Sequence, residues 1–140
     1  MSSAFSDSND VVTAAINMAP HIRAARDELE ATRHIPQSLA QALAAAGLLQ
    51  LYLPRSLGGS ETPPLTAFRV IEELSKLDGS VGWCTMIATA GSLAAGWLHT
   101  DVGREICGQP PDLRLAGSLR PQGRAQPVDG GYRINGHWDF

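Results

Sequence analysis

The chain has 140 residues, 11 basic and 14 acidic, with a formal net charge of -3, 44% hydrophobic residues and 18% charged residues. Such a balance describes a globular chain, either one ordinary domain or part of something larger, and excludes disordered and collagen-like polymers. Ten of the bases are arginines and none lies in a basic run of five; no nucleic-acid partner is expected.

Residues 1–9 hold no Lys or Arg and no apolar run, so no secretory leader is expected. The first periodic stretch runs from about Asp10 to Arg33. Val12, Ala15, Ala19, Ile22 and Leu29 form one apolar stripe there, and Pro20 predicts a kink or short break. A second helix opens at Pro36, carries Leu39, Ala42, Leu43 and Ala46, and stops at Gly47. Gly58-Gly59 marks a tight turn reaching the surface. Pro63-Pro64 starts a third helix, with Leu65, Phe68, Ile71, Leu74 and Leu77 expected inward and Glu72 placed to pair with Lys76.

From Gly79 to Leu98 no charge occurs for twenty positions, long enough to span a bilayer. Four glycines and the hydroxyls of Ser80, Thr85, Thr89 and Ser92 dilute it, which fits a buried central helix rather than a membrane span. Ser80 is its expected N-cap. Trp83 and Trp97, fourteen apart, read on spacing alone as core packing. A short helix from Asp101 to Cys107 follows, and His99 is expected at the C-terminal dipole of the long helix.

After Pro110-Pro111 the texture changes. Leu113 to Leu119 fits a strand, Arg120 to Pro127 a loop, Gly130-Gly131 a hairpin turn, Tyr132 to Ile134 a strand, and His137 to Phe140 the start of another. The fold class is therefore mainly α. A helical domain over 1–110 is followed by the beginning of a β domain over 111–140, as in the front of a longer protein.

Chemistry-bearing motifs are few. Neither a GxGxxG fingerprint nor a P-loop nor a GxSxG elbow occurs, and His21, His34, His99 and His137 are scattered, so no metal site is expected. Cys84 and Cys107, 23 positions apart with no CxxC, fit a reducing, cytoplasmic setting. Glu72-Glu73 reads as a solvated face rather than a catalytic carboxylate pair. The segment Ala116 to Ala125 joins a strand to a small-residue loop whose backbone amides could meet a heterocycle or a pyrophosphate; an ordinary β-turn explains it equally well.

Taken in order, these residues resemble the acyl-CoA dehydrogenase superfamily, in its N-terminal helical domain and the first strands of its middle β-barrel domain. The resemblance rests on Ala46-Gly47-Leu48 with Leu53-Pro54 and Gly58-Gly59. It rests also on Glu72-Glu73-Leu74 with Asp78-Gly79-Ser80, and on Gly130 to Gly136. Leu119-Arg120-Pro121 stands where the dehydrogenases carry Thr-Glu-Pro, and Gly123-Arg124-Ala125 where they carry Gly-Ser-Asp. Gly79 to Trp83, Pro121 to Ala125 and Gly136-x-Trp138-x-Phe140 are similar instead to the two-component flavin monooxygenases of this fold.

That resemblance implies a flavin cofactor (FAD, or reduced FMN or FAD), a small-molecule substrate, a separate flavin reductase if the parent is a monooxygenase, and a homotetramer. It places Ser118, Leu119, Gly123, Arg124 and Phe140 at the flavin, and Trp83 and Gly91 at the substrate. It places no catalytic residue in this segment, so the 140 residues alone are expected to be inactive. Two alternatives stand beside it: the front of an FAD-dependent acyl-CoA dehydrogenase, and a stand-alone helical interaction module.

Overall fold

The computed structural model describes residues 8–107, 114–118 and 120–138. The first helical stretch is two helices, α1 (Ser8–Asn17) and α2 (Ala19–Thr32), separated at Met18. Pro20 sits in the first turn of α2, where its missing N–H has no helical partner to lose. The break rephases the inward stripe. Val11, Ala15, Met18, Ile22 and Leu29 are buried, whereas Val12 and Ala19, expected inside, are half-buried.

Helix α3 (Gln37–Ala45) is preceded by Pro36 as its N-cap. It ends where Gly47 turns left-handed, φ 69, a conformation that is inexpensive only without a Cβ. The Leu48 N–H then bonds back to the Leu43 carbonyl at 3.0 Å, closing a Schellman turn. Gly58 is left-handed and exposed. Gly59 is buried instead of reaching the surface, because a Cβ there would lie 2.0 Å from the Leu53 carbonyl oxygen.

Helix α4 (Pro64–Leu77) buries Ala67, Val70 and Leu74. Leu65 and Phe68, expected inward, are 66% and 65% exposed. The face that α1 and α5 cover is the row containing the small Ala67, and closeness of approach, not side-chain size, selects it. On the outer side Lys76 reaches Glu72 at 3.7 Å and Glu73 at 2.7 Å. The Glu73 hydrogen bond holds the lysine above its ordinary pKa. These carboxylates form a surface ion cluster.

Asp78 alone joins α4 to α5 (Gly79–Leu93). Its Oδ1 accepts from the Ser80 and Val81 N–H groups at 2.9 and 3.1 Å, so the N-cap is Asp78 and not Ser80. The helix opens two residues earlier than the Ser80 hydroxyl would dictate. Its tightest contact is with α4, where Gly82 lies against Ser75. Thr85, Thr89 and Ser92 are also buried, but Trp83, Cys84, Ala90 and Leu93 are exposed, so α5 is buried along one small, polar face and not all round as expected. The uncharged run is not one helix: Ala94–Trp97 is a 3₁₀ turn and Leu98 is extended. Among the described residues no helix is long and apolar enough to cross a membrane.

Helix α6 (Thr100–Cys107) closes a second, smaller core of Leu53, Leu57, Ala95 and Cys107. His99 lies beyond the helical end, exposed, 3.8 Å from Asp101, and not on the dipole expected for it. Residues 114–118 run without regular structure where a strand was expected. The stretch read as a loop contains β1 (Arg124–Val128), which pairs antiparallel with β2 (Gly131–Asn135) across a turn at Asp129-Gly130. Every residue of both strands is exposed. Residues 137 and 138 form no strand, and 113, 119, 139 and 140 lie outside the described residues.

Candidate functional site

The predicted substrate residues Trp83 and Gly91 lie two helical turns apart on α5, with Ile87 between them at the four-residue spacing that lines up one face. That face borders a cavity of about 360 Å³, walled by α5, by α3 with the residues that flank it, and by the extended segment at 114–116. Trp83, Ile87 and Ala88 form one wall, Ile35, Ala40, Leu43 and Leu49 the second, and Arg114, Leu115 and Ala116 the third. The lining is almost wholly apolar, and its size fits a small planar molecule.

Trp83 is 50% exposed and Trp97 77% exposed, which overturns the core-packing reading of their spacing. Fourteen residues bring two side chains onto one face only in a continuous α-helix, and the 3₁₀ turn at Ala94 breaks it. Trp83 is therefore a cavity wall.

Gly91 meets the third wall. A Cβ on it would lie 2.7 Å from the Leu115 Cβ, so the missing side chain is the notch that lets 114–116 approach the helix. Among the described residues no backbone hydrogen bond engages 114–118. Ala116 and Gly117 are exposed on a stretch without regular structure, and half-buried Ser118 turns its hydroxyl to accept from the Arg120 N–H at 3.3 Å.

The remaining predicted cofactor residues are not gathered into that cavity. Gly123 packs under the Trp138 indole: a Cβ there would lie 2.2 Å from its Cζ2, and one on Gly136 2.6 Å from its Cη2. Arg124 begins β1 opposite Asn135, its side chain exposed. Leu119 and Phe140 lie outside the described residues.

Among wall residues, sequence reasoning missed Ile35, Leu49 and Leu115, which come from three separate segments. It also missed Ile87, which the Trp83–Ile87–Gly91 spacing could have revealed.

No nucleophile emerges from the cavity. Burial, and secondarily the Asp78 carboxylate, pushes the Cys84 thiol above its ordinary pKa, so it stays protonated at neutral pH. Among the described residues no cluster of His, Cys, Asp or Glu could hold a metal ion.

The fold is thus a helical body carrying an apolar, ligand-sized cavity, followed by a two-stranded β hairpin. Residues 12–106 match the family model described as acyl-CoA dehydrogenase, N-terminal domain; the chain belongs to this family. Its relatives include the flavin-dependent monooxygenase oxygenase subunit HsaA of Mycobacterium tuberculosis, 30% identical over 96% of this chain and 34% of that protein. They also include an indole-3-acetate monooxygenase of Pseudomonas putida, 34% identical over 84% of this chain and 30% of that protein. The crystal structure of HsaA from M. tuberculosis superposes with a TM-score of 0.83 at 30% identity, over 93% of this chain and 36% of that one. The chain thus spans about a third of the length of the curated relatives it matches.

Proposed function

We propose that this chain supplies the helical wall of a reduced-flavin-dependent monooxygenase acting on a planar ring compound. The apolar cavity beside Trp83 is the observation that carries this reading. Trp83 and Ile87 stack against the ring, Leu43 and Leu49 keep water from one side of it, and Leu115 sets the width. Exposed Ala116 and Gly117, with half-buried Ser118 beside them, offer peptide groups that fit the polar edge of an isoalloxazine, and the Arg124 guanidinium fits a phosphate. The flavin, FMN or FAD, supplies oxygen activation when bound. Leu119, Gly123 and Phe140 belong to the same proposed cofactor wall, and a separate flavin reductase and a homotetrameric parent belong to the same reading.

No acid or base of this segment serves the reaction. Glu72 and Glu73 are tied to Lys76, and the Cys84 thiol is protonated. One wall cannot exclude water from a reacting centre, so the 140 residues by themselves are inactive. The family's own name favours a second reading, in which an acyl thioester occupies the cavity.

Titration of the chain with indole and with a butyryl thioester, followed by NMR, separates the two. At about 0.3 kcal/mol per heavy atom, a ring of about ten atoms binds in the millimolar range. Indole is expected to bind at least tenfold more tightly than the thioester, and Trp83→Ala to weaken it about tenfold. Preference for the thioester, unaffected by Trp83→Ala, contradicts the proposal.

A further inference from the structure

A second hollow, of about 130 Å³, adjoins the apolar cavity and shares Ile35 and Cys84 with it. It lies between the end of α2 and the start of α5, and its lining is mixed where its neighbour's is apolar: Leu29 and Ile35 share it with Glu30, Arg33, His34 and Asp78. We infer that it is a polar annex, and that the ligand is a planar ring bearing a short hydroxyl-terminated arm. The ring occupies the apolar cavity and the arm crosses the Ile35–Cys84 threshold. This inference rests on the ring-binding reading above.

The local bonding decides which polar group the annex takes. Arg33 closes α2 in the left-handed conformation, φ 58, which an L-residue rarely adopts. The next residue, His34, is bonded through Nδ1 to the Thr32 carbonyl. A carbonyl only accepts, so Nδ1 carries the hydrogen, and in the neutral ring Nε2 is left as an acceptor. The Asp78 carboxylate already caps α5 through the Ser80 and Val81 N–H groups. Glu30 and Arg33 bring one charge of each sign to the rim. What remains is an acceptor on His34, the second Asp78 oxygen and the donors on Arg33, in a hollow whose charged groups sum to one negative charge, which disfavours a carboxylate arm. A hydroxyl uses His34 and Arg33 together, donating to Nε2 and accepting from the guanidinium. A cavity of about 150 Å³ takes one benzene ring, so a hollow of about 130 Å³ takes no more than a group of that size, and the arm is short.

The test compares three probes on the same phenyl ring: propylbenzene, 3-phenylpropan-1-ol and 3-phenylpropanoate, titrated by NMR into the chain and into His34→Ala and Arg33→Ala. A single hydrogen bond is worth a few-fold in affinity. Each substitution is expected to weaken the alcohol about fivefold while leaving propylbenzene within twofold. Equal losses for both probes, or no loss for the alcohol, overturn the annex. So does tightest binding of the carboxylate, lost in Arg33→Ala, which makes the hollow an anion site. If propylbenzene itself fails to bind, the ring-binding reading falls first and the annex with it; if it binds while the arm gains nothing, only the annex falls.

Discussion

Replacing Gly82 by alanine is expected to destabilise the chain by about 2 kcal/mol, whereas Gly79→Ala, three residues earlier in the same helix, leaves stability unchanged or slightly raised. Two effects oppose each other at both positions. Alanine gains up to about 1 kcal/mol over glycine from helix propensity. At Gly79 nothing lies within 4 Å of the new Cβ, so that gain is unopposed. At Gly82 the Cβ would lie 2.0 Å from the Ser75 Oγ and 2.9 Å from the Ser75 Cα. A hydroxyl can rotate away but a backbone atom cannot. Helices α4 and α5 must therefore separate, and overpacking of this kind costs about 1–3 kcal/mol or more. The Ser75 hydroxyl is also held to the Ile71 carbonyl at 2.7 Å, so rotating it away sacrifices a hydrogen bond. Urea unfolding of the two variants measures the difference; equal midpoints would show that the α4–α5 seam is not close-packed.

Gly91→Ala is expected to weaken ring binding about tenfold without lowering thermal stability. The new Cβ meets Leu115 on a segment that no backbone hydrogen bond anchors among the described residues, so 114–116 moves and α5 does not. The helix keeps its propensity gain while the cavity loses its third wall. Because the contact is with the Leu115 Cβ, Leu115→Ala leaves the clash in place, and only Leu115→Gly removes it. A double-mutant cycle therefore reads the latch directly. Gly91→Ala should weaken indole tenfold in the Leu115 background and about equally well be tolerated, within twofold, in Leu115→Gly. The same loss in both backgrounds would mean that Gly91 acts on the ligand by another route.

Much of the helical frame was legible because its punctuation is covalent. Proline at 20, 36 and 64 and glycine at 47 impose starts and stops through φ and the missing N–H, whatever surrounds them. Which face turns inward is a tertiary matter. Leu65 and Phe68 carry more apolar surface than Ala67, yet the neighbouring helices pack on the alanine. The Asp78 cap displaced Ser80 because a carboxylate one position before the first helical residue reaches two orphan N–H groups.

The β region was the least legible. Pro127 within β1 reads as a breaker, but in a two-stranded hairpin it stands on an edge strand where its missing donor is tolerated. Of the cavity's walls, Trp83 and Ile87 belong to one periodic helix, whereas Ile35, Leu49 and Leu115 are brought to it only by the fold.

The proposed function gives these residues one wall of a flavin monooxygenase site and none of its reacting groups. Its most direct test supplies the purified chain with reduced FMN or FAD from a flavin reductase, oxygen and a ring compound that binds the cavity. Hydroxylated product is then sought by mass spectrometry. No product above the reductase-only background is predicted, and flavin binding no tighter than millimolar. Turnover, or micromolar capture of flavin by the 140 residues, would contradict it.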